Sequence, residues 1–153
     1  KSEVLVAANI ESMKIGKNSP DEKWEKEVTY YNHNFNYSPY RPNVERFDAN
    51  GGWIASASDL LKFITVIDRG ARRIDIVDST LLSDTYLGNY SWKHSGALPG
   101  TSAMLEKYND EFSFAVLANG NSISYSTATE ELTTAIENDI YTRTNWISVD
   151  LFE

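Results

Sequence analysis

Strict alternation of large apolar and small side chains in residues 112–119, FSFAVLAN, constrains the fold more than any other stretch of this chain. One face of the run carries Phe112, Phe114, Val116 and Ala118, and the other carries Ser113, Ala115, Leu117 and Asn119. A period of two residues is the period of a β-strand, and bulky apolar side chains on one side require a second layer packed against that side. The run therefore predicts a strand in a sheet with one heavily packed face.

Further strand segments precede this run. Residues from Ser102 to Tyr108 predict a strand, and Asn109-Asp110 predicts a tight turn, so that the two runs form an antiparallel hairpin. A third strand is expected over Ser91 to His94. It is followed by a short turn element, His94-Ser95-Gly96, and by a Pro-Gly turn at Pro99-Gly100. The sheet should therefore contain at least three strands.

Two helices are expected around this sheet. The first is predicted from Ala57 to Asp68, where Ser56 or Ser58 can cap the N-terminus and Gly70 can end the helix. Asp59 lies in its first turn, where a negative charge interacts favourably with the positive end of the helix dipole.

The second helix starts at Thr127-Ala128-Thr129-Glu130, which fits a capping box, and runs to about Tyr141. Its apolar stripe of Leu132, Ile136 and Ile140 should lie on the sheet. The predicted fold class is α+β: an antiparallel sheet of at least three strands with a C-terminal helix packed on it, in a single domain over residues 1–153.

The other segments are less regular. Ser2 to Ala8 fits either a helix stopped by Asn9 or a strand. Residues 16–50 are polar but rich in aromatic rings, which indicates an ordered loop with one short strand, Lys26 to Tyr31. The loop either lines a site or only covers the core. A helical turn is expected around Leu81-Leu82.

Composition excludes several classes of function. A net charge of −8 with no basic cluster argues against a nucleic-acid partner. The chain has no cysteine and only two histidines, His33 and His94, so neither a metal site nor any other cofactor is expected. No apolar run approaches the roughly 20 residues of a membrane span.

Two blocks of sequence resemble a known family. His94-Ser95-Gly96, followed by ALPGTS and a hairpin closing in VLANG, is similar to the third conserved box of the serine β-lactamase and penicillin-binding-protein-like hydrolases, in the esterase and D-aminopeptidase-like branch. Residues 48–56, DANGGWIAS, and then Asp59-Leu60-Leu61-Lys62-Phe63, resemble the block that precedes that box. The resemblance spans nearly the whole chain but only the C-terminal half of a family domain, so the domain is expected to be incomplete. It slightly favours a periplasmic or extracellular location.

The resemblance implies roles for individual residues. His94 would polarise the substrate or bind its carboxylate, Ser95 would hydrogen-bond the substrate, and the backbone N–H of Ala97 would be one oxyanion-hole donor. Gly96 would leave room for the substrate beside the strand, and Thr101 would belong to the substrate-binding set. The substrate would be a small-molecule or peptide ester or amide.

The nucleophile of this family is the serine of a Ser-x-x-Lys box, and no serine of this chain has a lysine three residues later. The chain alone is therefore expected to be inactive. A triad of His33 or His94 with Ser95 and Asp48 has the right residue types, but no Gly-x-Ser-x-Gly elbow is present. Tyr30-Tyr31-Asn32 spells a Tyr-x-Asn box, which we interpret as a chance match.

A non-catalytic binding module, using the groove or a sheet edge, is the alternative to a hydrolase. If Ser2 to Ala8 is helical, the strand from Phe112 to Asn119 should expose an edge of unpaired backbone groups, and we expect this edge to be occupied in any ordered state. Expected occupants of this edge are a second copy of the chain, a separate chain with the missing N-terminal half, or the N-terminal segment refolded as a strand.

Overall fold

The computed structural model describes residues 3–33, 36–70, 74–83, 90–121 and 127–149, which fold into helices and an antiparallel sheet. In these ranges the strands are β1 (Lys14–Ile15), β2 (Tyr31–Asn32), β3 (Trp53–Ile54), β4 (Trp92–Leu98), β5 (Thr101–Lys107), β6 (Ser113–Ala118) and β7 (Gly120–Asn121). The helices are α1 (Val44–Phe47), α2 (Ala57–Ile64), α3 (Ser79–Ser83) and α4 (Thr127–Thr142). The α+β class is confirmed, and α3 lies where a helical turn was expected.

The central sheet has the order β4-β5-β6, with both neighbouring pairs antiparallel. Leu98 pairs with Thr101 across Pro99-Gly100, and Gly100 has a φ of 80°. Proline followed by a residue with positive φ is the pattern of a type II turn. This two-residue connection places all seven residues of β4 opposite β5. The expected turn at His94–Gly96 is therefore wrong, because these residues lie in the middle of a paired strand.

Helix α4 covers one face of the sheet. Met104, Phe114 and Val116 are buried there, and Ile136 and Ile140 of α4 pack against them. This confirms the heavily packed face of residues 112–119. The predicted stripe was partly wrong, because Leu132 is 52% exposed. Thr129 and Thr133 are buried instead. Together with Ile136 and Ile140 they recur every three or four residues, so all four lie on the inner face of the helix.

The opposite face carries the main core. Ala8, Ile10, Ile64, Val66, Ile67 and Trp92 form one buried cluster, against which Leu105 of β5 packs. Helix α2 begins with a capping box between Ser56 and Asp59, so Ser56 is the N-cap of the two candidates. It ends at Ile64 rather than at Asp68, because the N–H groups of Val66 and Ile67 donate to carbonyls three residues back instead of four.

The N-terminal segment ends in a helical turn closed by Asn9, and the strand alternative is wrong. Asn9 has a φ of 55°, its N–H donates to Val6 O, and the N–H of Ile10 donates to Leu5 O. These two bonds around a left-handed residue form a Schellman motif. Both Leu5 and Ile10 belong to the main core, which supplies the hydrophobic contact typical of this motif.

The aromatic loop, residues 16–50, packs against the end of the β4-β5 hairpin. A strand over Lys26 to Tyr31 is absent from the described structure, and β2 instead pairs in parallel with β7. A Cβ added to Gly100 would lie 2.9 Å from the Cβ atoms of Pro39 and Tyr30, so this turn admits only glycine without rearrangement of the loop.

The two edges of the central sheet are β4 and β6. Within the described ranges neither strand has a second strand partner. None of the helices described has the length and apolar character needed to cross a lipid bilayer.

Candidate functional site

Strand β4 presents a row of exposed residues at the sheet edge. Trp92 is buried and Leu98 is half-buried, but His94, Ser95, Gly96 and Ala97 between them are all exposed. Every second residue of an edge strand directs its N–H and C=O away from the neighbouring strand. The segment that resembles the third box is therefore an accessible edge, with backbone groups available to a molecule that lies along it.

The side chains of this segment do not share one face. Alternation places His94 on the side of buried Trp92, and Ser95 on the side of Lys93, which is the face that α4 covers. The resemblance gives both His94 and Ser95 a role toward one substrate, but the structure places them on opposite faces of the sheet. A molecule would meet both only by lying along the edge itself. The same alternation places Lys93 and His94 on opposite faces.

Gly96 leaves space that the fold does not require. It does not have a positive φ, and an added Cβ would meet only the Cβ of Ala103, at 3.8 Å, which is an ordinary contact. Glycine in a strand costs stability because it gains no side-chain packing and loses more backbone entropy. The space beside Gly96 is therefore open to a molecule that lies along β4.

Gly96→Ala is therefore expected to leave the folded chain intact or to stabilise it by about 0.5–1 kcal/mol. The same change should weaken binding of any molecule that lies along β4. Thermal unfolding of the two proteins measures the first effect. A Tm lowered by more than a few degrees would show that Gly96 is needed by the fold, which would remove this support for a binding edge.

Thr101 lies apart from this row. It pairs with Leu98 at the hairpin end, whereas His94 pairs with Leu105, four residues or roughly 13 Å farther along β5. The hydroxyl of Thr101 donates to the carbonyl oxygen of Ala118 at 3.1 Å. This hydrogen bond joins β5 to β6, so the structure gives Thr101 a role within the sheet and does not group it with His94.

A charged cluster around one buried carboxylate lies beneath α4, and sequence reasoning missed it. Lys93 Nζ lies 3.3 Å from Glu137 Oε1 and 3.9 Å from Glu106 Oε2. Burial, opposed by Lys93 and reinforced by Glu137, raises the pKa of Glu106 to about 7. The only sequence signal would have been the register that places Lys93 opposite Glu106, and this register requires knowledge of the strand pairing.

A second buried carboxylate lies in the aromatic loop. Glu27 accepts hydrogen bonds from Tyr30 Oη and from the N–H of Trp24, each at 3.0 Å. Tyr40 stacks edge-on against Tyr30 with ring centroids 5.7 Å apart. Burial, followed by the charge of Glu27, raises the pKa of both tyrosines. Both phenols therefore stay neutral at physiological pH, and the arrangement holds the loop against Gly100.

The described ranges give no support to a metal site, to a Tyr-x-Asn box or to a catalytic triad. Those residues include no group of three or more His, Cys, Asp or Glu side chains placed to hold a metal ion. Tyr31 and Asn32, from the Tyr-x-Asn sequence, form β2 and pair with β7. His33 and Asp48 are exposed, and no hydrogen bond among the described residues joins either of them to Ser95.

Comparison with known proteins finds no matching family model, no similar curated protein and no similar solved structure.

Proposed function

We propose that this chain is the C-terminal portion of a β-lactamase-like serine hydrolase that forms an acyl-enzyme. It would supply one side of the substrate groove, along the β4 edge at His94-Ser95-Gly96, but not the nucleophile. The observation that carries the proposal is the exposed edge of β4, where these residues and Ala97 stand in one accessible row with open space at Gly96. An antiparallel sheet with a C-terminal helix on one face agrees with the proposal.

The proposed chemistry assigns a task to each residue. An ester or amide substrate would lie along the outer edge of β4, which offers unpaired backbone donors. The N–H of Ala97 would stabilise the oxyanion of the tetrahedral intermediate. His94, from one face, would polarise the substrate or bind its carboxylate, and Ser95, from the other face, would donate a hydrogen bond.

The nucleophilic serine and its lysine would come from an N-terminal half of the domain. We propose that this half adds strands to the outer edge of β6, on the opposite side of the sheet from the β4 groove. Phe114 and Val116 are buried by α4, so these β6 side chains already have a packed layer, and no second strand pairs with the outer edge of β6 in the described ranges. Pairing along this edge would join the two halves into one sheet.

The isolated chain is expected to be catalytically silent, because no Ser-x-x-Lys is present to form an acyl-enzyme. Purified protein is assayed on a chromogenic β-lactam and on a nitrophenyl ester, with His94→Ala as the control. Turnover clearly above that of the control would contradict this division of labour and would indicate a nucleophile within residues 1–153.

A non-catalytic binding module is the second candidate, and a groove beside β6 favours it. Phe112, Ile140 and Trp146 are shared by two adjoining grooves of about 460 and 350 Å³ between the sheet edge and α4. The coding sequence upstream of Lys1 separates the candidates. A Ser-x-x-Lys box there supports the hydrolase, whereas a reading frame that begins near Lys1 supports the binding module.

A further inference from the structure

Glu106 is a carboxylate on the central strand, buried under a helix. Its side chain is only 7% exposed. It points to the same face as Phe114, its partner on β6, and as Lys93, its partner on β4. Helix α4 closes this face and brings Glu137 to the same place. Three separate elements therefore meet around one buried acid.

The cluster contains one cation for two carboxylates. Lys93 is 56% exposed and lies closer to Glu137 than to Glu106, at 3.3 Å against 3.9 Å. The longer distance exceeds that of a hydrogen bond. Among the described residues, Glu106 Oε2 has no hydrogen-bond partner. An ionised Glu106 would thus be a buried charge with poor compensation, next to a second negative charge on α4.

Protonation removes this conflict. A neutral Glu106 carboxyl can donate a hydrogen bond, and Lys93 then pairs with Glu137 alone, which leaves the cluster without net charge. Phe114 contributes no charge from β6, and Thr133, one turn before Glu137 on α4, contributes only a buried hydroxyl. The groups that set the charge at this place are therefore Lys93 from β4, Glu106 from β5 and Glu137 from α4.

We propose that Lys93, Glu106 and Glu137 form a proton-controlled clasp, which holds α4 on the sheet when one carboxyl is protonated and loosens the helix when both are ionised. The clasp is independent of the proposed hydrolase function. It would make access to the face beneath α4 depend on pH.

The direction of the effect follows from proton linkage. The pKa of Glu106 is higher in the folded chain, about 7, than its ordinary value of 4.5. The folded state therefore binds the proton more tightly than the unfolded state. The stability that this group contributes is fully present below pH 4.5, and it is lost as the pH rises through about 7.

Hydrogen–deuterium exchange of peptides from residues 127–142 tests the clasp in the full chain, at pH values from about 5 to about 8.5. After correction for the intrinsic exchange rate, protection of α4 should fall at least about tenfold over this range, since one pKa unit corresponds to a factor of ten. Glu106→Gln should make protection independent of pH. The matched control is Glu131→Gln, which removes the same charge from the exposed side of α4 and should keep the wild-type dependence.

Two further variants test the cluster by the direction in which they move the pH midpoint of the fall in protection. This test holds even if Glu106→Gln does not fold. Glu137→Gln removes the neighbouring negative charge and should move the fall in protection to lower pH. Lys93→Met removes the cation and should move it to higher pH. Protection that does not change with pH in the wild-type chain would overturn the proposal. So would the same midpoint in the wild type and in both of these variants.

Discussion

Replacing His94 with alanine is expected to lower kcat/KM roughly 100-fold in a protein that joins this chain to the proposed half with the Ser-x-x-Lys box. This is the scale on which enzymes lose activity when one positioned polar group near the oxyanion is removed. His94 is exposed on the edge strand, and the imidazole is part of no buried core cluster. The substitution should therefore change catalysis without unfolding the sheet.

Lys93→Ala is the matched control, because Lys93 is the neighbouring cationic residue but lies on the opposite face, against α4. Initial rates on the same ester substrate should change little in this variant. Similar losses in both variants, or no loss from His94→Ala, would show that the third box has been assigned to the wrong residues. The Tm of each variant, measured alongside, separates the catalytic effect from a loss of folded protein.

The isolated chain is expected to dimerise through β6 and to sediment at about twice its mass of 17.3 kDa. In the described ranges no second strand pairs with the outer edge of β6, and its sequence, SFAVLA, has no charge and no proline to oppose pairing. Of the three expected occupants, the N-terminal segment is excluded, since its helical turn is held by the Schellman motif and Ala8 is fully buried. Without a separate N-terminal half, a second copy is the remaining partner.

Sedimentation of the wild type and of Leu117→Lys measures this association. Leu117 is 41% exposed, so a lysine there can be tolerated by the monomer while it opposes strand pairing at the edge. Thr134→Lys adds the same charge to the exposed side of α4 and should leave the dimer intact. A wild-type monomer with fast-exchanging amides along residues 112–117 would mean that the edge is bare.

Local signals in the sequence predicted local structure well. Alternation in residues 112–119 identified β6 and its buried face, because side-chain direction in a strand depends only on position. The residues that cap α2 and the N-terminal turn were also among those predicted from the local sequence. Ser56 and Asp59 satisfy each other's backbone within four residues, and Asn9 tolerates a left-handed conformation by its own chemistry.

Features that depend on distant partners were not predictable in the same way. His94–Gly96 suggests a turn by composition, yet pairing with β5 keeps this segment extended. Leu132 fits an apolar stripe, yet the sheet receives the neighbouring side of α4, where Thr133 lies. The Glu106 cluster required both the strand register and the docking of α4, and neither can be read from three isolated charged residues.

The pairing of β2 with β7 bears on how this chain reaches its folded state. The hydrogen bond from Asn119 Nδ2 to Thr29 O connects residues 90 positions apart, whereas β4, β5 and β6 follow each other through short turns. Closing a long loop costs more chain entropy than closing a hairpin, so contacts between distant segments form later and more slowly. The three-stranded sheet can therefore assemble first as a local unit. The aromatic loop would then close onto its Pro99-Gly100 end as one of the last steps of folding.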